Sequence, residues 1–173
     1  GRGNLTLDGD FLRIHNFTGQ YADNEKRTAI SLFTMAGAPL AVADQYDTIG
    51  NNLSYYTNPE ILALKKEGFV GKPIYYNGTP FEPEYSGQPD TGSRDSERWI
   101  GQTSKGDWVV ALFNRSDSTV TKSIDFESIL GLSYGGYVHD VWKHTNLGSM
   151  TSYSVSLRPH DAVSYTHLRA HET

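Results

Sequence analysis

Cysteine is absent from all 173 residues. There is therefore no disulfide framework and no thiolate chemistry, and the compartment stays open, with an extracellular or periplasmic setting compatible. Long hydrophobic runs are missing too; none reaches the ~20 residues of a membrane-spanning helix, so no membrane partner is expected. Positive charge is scarce: 15 Lys and Arg stand against 20 Asp and Glu, a net charge of −5. Without a cationic surface to neutralise phosphates, nucleic acid is not expected as a partner. No phosphate-cradling glycine loop or helical His-Glu-x-x-His occurs. Their absence leaves no support for nucleotide or zinc-peptidase chemistry, and neither a cofactor nor a metal is expected. An initiator Met and a signal segment are also lacking, so the chain reads as a fragment.

Aromatic residues are plentiful, at 12 % with 11 Tyr and 3 Trp. That enrichment favours β-rich packing and surfaces on which sugars stack. Hydrophobic content of 37 % and charged content of 20 % are ordinary for a soluble protein. The length suits one ample core or two small ones. Asn-x-Ser/Thr triplets begin at Asn4, Asn16, Asn52, Asn77 and Asn114; in a chain this rich in Asn, Ser and Thr they are read as chance.

The organising stretch is Thr28 to Asp44. An amphipathic helix runs to about Ala36, Gly37 stops it, and Pro39 to Ala43 forms a short apolar strand, expected to be covered on both faces and to end on Asp44. Asp23 or Asn24 is the expected N-cap of this helix, with Glu25 in its first turn. Before it, Leu5, Leu7 and Phe11 flank an Asp8-Gly9-Asp10 turn. After it, Asn58 caps a second helix with Pro59 at its first position, and Lys65-Lys66 complement its dipole before Gly68. Strand, helix, strand, helix over some 65 residues implies a parallel sheet. Residues 73–97 then read as a Gly-, Pro- and Asp-rich linker. From Arg98, short strands alternate with turns: Arg98–Gln102, Asp107–Asn114, Ser123–Phe126, Gly136–Trp142, Ser152–Leu157 and Ala162–Tyr165. Their spacing predicts an antiparallel sandwich. Residues 166–173 break the pattern and are read as a non-native tail.

Leu7-Asp8-Gly9-Asp10-Phe11-Leu12, Gly37-Ala38-Pro39-Leu40, Asp44 and Asn58-Pro59-Glu60-Ile61-Leu62-Ala63 occur in the order and spacing of one family. The chain resembles the C-terminal part of glycoside hydrolase families 27 and 36, the α-galactosidase clan. Val110-Ala111-Leu112-Phe113-Asn114-Arg115, Asp140-Val141-Trp142 and Arg158-Pro159-His160 extend the likeness over roughly residues 4 to 165. The resemblance implies a fold: residues 1–72 as the last strands and helices of a (β/α)8 barrel, and residues 98–165 as an antiparallel β-sandwich. It also implies a retaining α-glycoside hydrolase with a carbohydrate substrate. Where the family has Asn, Pro and Met in its first motif, this chain has Leu7, Gly9 and Phe11. The family's Asn-Gln-Asp-Pro segment is replaced by residues 65–73. Substrate therefore stays open between α-galactosides and α-glucan, the latter as in an isomaltose-releasing dextranase. A non-catalytic carbohydrate-binding or structural β-module is the alternative.

Asp8 and Asp10 are the tempting catalytic pair, but in an extended strand they would lie about 6.6 Å apart on one side. A retaining glycosidase needs carboxylates ~5–5.5 Å apart across the scissile bond. The resemblance places the two catalytic aspartates on the fourth and sixth barrel strands, so no catalytic residue is expected in this chain. It places Asp10 and Phe11 in the wall of the sugar pocket. Asp8 reads more as a turn residue. Asp44 either faces the pocket rim or caps the next loop, and Phe11 and Tyr46 either stack on sugar or pack at the rim. The histidines His139, His144 and His160 are read as turn and edge-strand residues, and Lys65, Lys66 and residues 94–98 as solvated charge.

Overall fold

The computed structural model describes residues 8–74 and 95–168, with side chains given through Val163. The expected strand through Leu5 and Leu7, and most of the loop at 73–97, lie outside the described residues.

Helix α1 (Ala22–Met35) carries the stripe that fixes its position: Ile30, Ser31, Thr34 and Met35 are buried at helical spacing. It ends as its sequence dictates. Gly37 adopts φ 71°, its amide donates to Thr34 O at 3.1 Å, and the Ala38 amide donates to Phe33 O at 3.0 Å. These two bonds make a Schellman stop, which needs a residue without Cβ in the left-handed region. Helix α3 (Pro59–Lys66) stops in the same way: Gly68 and Phe69 donate to Lys65 O and Leu64 O, both at 3.1 Å. Asn58 caps its start, its Oδ1 accepting from the Glu60 and Ile61 amides, as the Asn-Pro-Glu signal predicts. Between them lie the two-residue strand β2 (Ala41–Val42) and the single turn α2 (Leu53–Tyr56). Strand β1 (Phe11–Leu12) precedes α1 and pairs parallel with β2.

Strands β3 (Lys72–Ile74), β4 (Asp95–Gln102), β5 (Trp108–Phe113), β7 (Gly136–Asp140), β8 (Thr145–Met150) and β10 (Ala162–Leu168) form one antiparallel sheet in the order β3-β4-β5-β10-β7-β8. β6 (Val120–Asp125) and β9 (Ser152–Leu157) make the second layer, and α4 (Phe126–Leu130) closes one end. Period two assigns the faces of β5. Val110 and Leu112 meet Ile124, Phe126, Leu130 and Leu157 in the sandwich core. Val109, Ala111 and Phe113 meet Met35, Leu64 and Phe69 of the helical layer. Every residue from Val109 to Phe113 is buried, and each large aliphatic among them contributes about 1.5–3 kcal/mol. The third cluster, Leu12, Ile14, Ile30, Tyr56, Ile61 and Val141, ties the parallel pair to the helices.

Several local expectations are corrected. The α1 start has no side-chain cap, with Tyr21 in the N-cap position. Asn24 is buried instead, its Nδ2 donating to Pro159 O at 2.9 Å, and Asp23 accepts from the Tyr55 hydroxyl. β2 is shorter than 39–43 and half open, with Val42 exposed, because β1 is its sole partner among the described residues. β7 ends at Asp140 rather than Trp142, since Asp140 Oδ1 accepts from the Trp142 and Lys143 amides, both at 3.0 Å, and turns the chain. β8 is a strand that the sequence pattern does not predict; five of its six residues are exposed and Gly148 interrupts it. Lys65 is not free in solvent: it donates to Ala38 O, and burial pulls its pKa down. Arg98 pairs with Asp95 and donates to Ser123 O. β10 runs on to Leu168, its backbone pairing with β5 and β7.

Candidate functional site

The four residues singled out by sequence fall at two ends of the parallel pair. In register, Phe11 lies opposite Ala41 and Leu12 opposite Val42. Asp8 and Asp10 therefore enter at the start of β1, while Asp44 follows the end of β2. Asp10 is level with Leu40, four residues before Asp44, or roughly 13 Å along the strand at the usual rise. The structure brings Asp8, Asp10 and Phe11 together and leaves Asp44 apart.

At the first end, the Asp10 amide donates to Asp8 Oδ1 at 2.9 Å. This side-chain-to-backbone bond lets Asp10 hold φ 62°, a region that Asp tolerates better than most residues. All three side chains are open to solvent, and Phe11 is 72 % exposed. Leu12, its neighbour, points into the core. A Cβ at Gly9 would sit 2.5 Å from the Phe33 ring, which would have to shift. An exposed ring beside exposed carboxylates can stack on an apolar sugar face and accept hydroxyl hydrogen bonds.

At the other end, Asp44 is committed to structure. Its Oδ1 accepts from the His15 amide at 3.1 Å and its Oδ2 accepts from the Tyr56 hydroxyl at 2.8 Å. Tyr56 also accepts from the Ile14 amide at 3.3 Å and lies 3.0 Å from Leu12 O. Burial first, with the neighbouring Asp44, pushes the Tyr56 phenol up to about 12. Nothing in the local spacing announces Tyr56 as the partner of Asp44, because the two meet only after α2 folds back. Tyr46, the other aromatic candidate, is 98 % exposed.

A cleft of about 700 Å³ lies elsewhere, at the seam between helices and sandwich, where Tyr55, Asn58, Trp142, His144, Arg158 and Asp161 are among its walls. None of the four residues lines it. Its charges are largely spent on one another: Arg27 pairs with Asp161 at 2.9 Å and Lys143 with Asp140 at 3.6 Å. The Trp142 indole donates to Ser31 Oγ at 2.9 Å. Both His160 ring nitrogens face carboxylates, those of Glu25 and Asp117. Among the described residues, no group of three or more His, Asp or Glu is arranged to hold a metal ion, and no helix is long and apolar enough to cross a membrane.

Residues 93–166 match the model of the α-galactosidase C-terminal β-sandwich domain. The isomalto-dextranase of Arthrobacter globiformis is 52 % identical over 161 residues, covering 92 % of this chain and 24 % of that protein. The solved structure of that enzyme, from strain T6 and complexed with panose, superposes with a TM-score of 0.81 and 49 % identity over 94 % of this chain and 26 % of that one. A probable α-galactosidase B from Talaromyces emersonii is 26 % identical over 89 % of this chain and 36 % of its own length. A family 27 β-L-arabinopyranosidase from Geobacillus stearothermophilus shares the fold, with a TM-score of 0.75 at 22 % identity over 96 % of this chain and 38 % of that one. The chain thus spans between about a quarter and two fifths of the length of these relatives.

Proposed function

Because residues 93–166 belong to the α-galactosidase C-terminal β-sandwich family and the chain is homologous to the C-terminal part of these glycoside hydrolases, we propose that it is part of a retaining α-glycosidase acting on α-glucan. The observation that carries the substrate class is the identity to the isomalto-dextranase, which is twice that to the α-galactosidase. The departures at Leu7, Gly9 and Phe11 from the α-galactosidase motif agree with it.

In this reading β1, α1 and β2 are the closing strand, helix and strand of a (β/α)8 barrel, within residues 1–72. Parallel pairing across one intervening helix supports this, since such a crossover is the unit from which barrels are built. Phe11 and Asp10 form part of the pocket wall, the ring stacking on a sugar and the carboxylate accepting its hydroxyls, with Asp8 holding Asp10 in place. The nucleophile and the acid/base are supplied by parts of the parent enzyme other than these 173 residues. Asp8 and Asp10 sit on one turn, and Asp44 has both oxygens engaged, so neither set offers two carboxylates facing each other across a bond.

The test compares the 173-residue chain with its longer parent on dextran and on an aryl α-galactoside. The chain alone hydrolyses neither, and the parent cleaves dextran. Hydrolysis by the chain alone overturns the placement of the catalytic pair. A parent that cleaves the α-galactoside and spares dextran overturns the substrate class.

A further inference from the structure

At the seam between helices and sandwich, three histidines of the sandwich meet carboxylates of the helices. His160, on the β9–β10 turn, sets Nδ1 2.8 Å from Glu25 Oε1 of α1 and Nε2 2.8 Å from Asp117 Oδ1 of the β5–β6 loop. His139, on β7, sets Nε2 2.9 Å from Glu60 Oε2 of α3 and Nδ1 2.7 Å from Asn146 Oδ1. His144, just before β8, reaches the same Glu60 at 2.6 Å through Nδ1.

A neutral imidazole has one N–H and one lone pair. His160 has a carboxylate oxygen at each nitrogen, so the neutral ring would turn a lone pair toward one of them. His139 has Glu60 at one nitrogen and the Asn146 amide oxygen at the other, an arrangement that a ring donating at both nitrogens completes. The imidazolium, a donor at both nitrogens, satisfies both sites, and at His160 no neutral tautomer does. We propose that the seam is a proton-dependent clasp, in which the imidazolium rings of His139 and His160 hold Glu60 and Glu25 and let go as they lose their protons.

The remaining charges around each ring fit this assignment. Near His139 stands Asp140, itself bound by the Trp142 and Lys143 amides and 3.6 Å from the Lys143 ammonium. Near His160 are Arg27 and Arg158, both turned to Asp161 at 2.9 and 3.7 Å, and the Tyr21 ring, whose centroid lies 5.3 Å away. The bond to Glu25, then that to Asp117, raises the His160 pKa. Burial opposes charge on His139, but Asn146, Glu60 and Asp140 outweigh it, so its pKa is raised as well. A group with a raised folded-state pKa adds stability that is complete below the unfolded value, near 6.5 for His, and is lost as pH climbs through the folded value. The clasp therefore closes in acid and opens toward alkaline pH.

Histidine ring resonances of the full chain, followed by NMR from about pH 5 to about pH 9, test the clasp together with the melting temperature over the same range. His139 and His160 titrate above the ordinary histidine value, and the melting temperature falls as pH passes through those midpoints. Glu25→Gln returns His160 toward the ordinary value and leaves His139 in place; Glu60→Gln does the reverse. Midpoints at or below the ordinary value, or midpoints indifferent to these substitutions, overturn the proposal. If one variant fails to fold, the wild-type titration and the other variant suffice to support or overturn it.

Discussion

The Tyr56 hydroxyl lies 2.8 Å from Asp44 Oδ2 and 3.3 Å from the Ile14 amide, which makes one phenol the knot between α2, the end of β2 and the turn after β1. Tyr56→Phe leaves the Ile14 amide and Asp44 without this partner and lowers stability by about 1–3 kcal/mol in denaturant unfolding. The alkaline limb gives a second readout. With the phenol pushed up to about 12, its stabilising contribution is complete below the free tyrosine value near 10 and is lost between about 10 and 12. The wild-type melting temperature falls across that window, and the Tyr56→Phe chain lacks this component.

Asn58 serves two masters with one amide. Its Oδ1 takes the Glu60 and Ile61 amides at 3.0 and 3.2 Å, while its Nδ2 donates to Val141 O at 3.0 Å across the seam. Asn58→Ala removes the cap and orphans a buried carbonyl, an expected loss of about 2–4 kcal/mol. Asn58→Asp keeps the cap but loses the donor to Val141 and buries a charge, so it too is destabilising, and more so at neutral pH than in acid. Equal stability of Asn58→Asp and wild type would show that the Val141 contact carries no weight.

Gly101 of β4 is held by what it faces. A Cβ there would come 2.6 Å from the Phe69 ring and 2.9 Å from Gly71 Cα. Gly101→Ala is expected to cost about 1–3 kcal/mol. Pairing it with Phe69→Leu relieves the ring clash but not the backbone one, so the double variant recovers part of the loss rather than all of it. Calorimetry on the two single variants and the double variant measures the coupling.

Phe11 and Asp10 are expected to behave in the opposite way. Both are exposed, and Phe11→Ala and Asp10→Asn should change chain stability by no more than about 0.5 kcal/mol. In the parent enzyme the same substitutions are expected to weaken carbohydrate binding, raising KM on dextran. A stability loss without any change in KM would return both residues to a packing role.

What was legible in the sequence was local. Gly37, Gly68 and Asn58 punctuate helices through bonds that span five residues or fewer, and each does in the structure what its residue type predicts. The strands at 98–102, 107–114 and 152–157 were likewise readable. What escaped depended on partners far away. Asn24 has the right chemistry for a cap, yet a carbonyl 135 residues on, at Pro159, takes its amide. β8 is a strand because β7 pairs with it, not because its residues favour one. At the candidate site, the closeness of Asp8, Asp10 and Phe11 follows from their adjacency in the chain, but the engagement of Asp44 required knowing where Tyr56 comes to rest. The triplet at Asn114 shows the same limit. Its side chain is buried and donates to Ser118, Leu157 and Arg158 carbonyls, which no triplet count reveals.

The central sheet is a party wall. One face of β5 belongs to the sandwich and the other to the helices, with Val109, Ala111 and Phe113 roofed by Met35, Leu64 and Phe69. A β-domain that travels between proteins as an independent cassette must have its outward faces finished in polar residues. This one does not: cut free of α1 and α3, it would show a bare apolar face. A version of these strands freed from the helices would need polar residues at 109, 111 and 113.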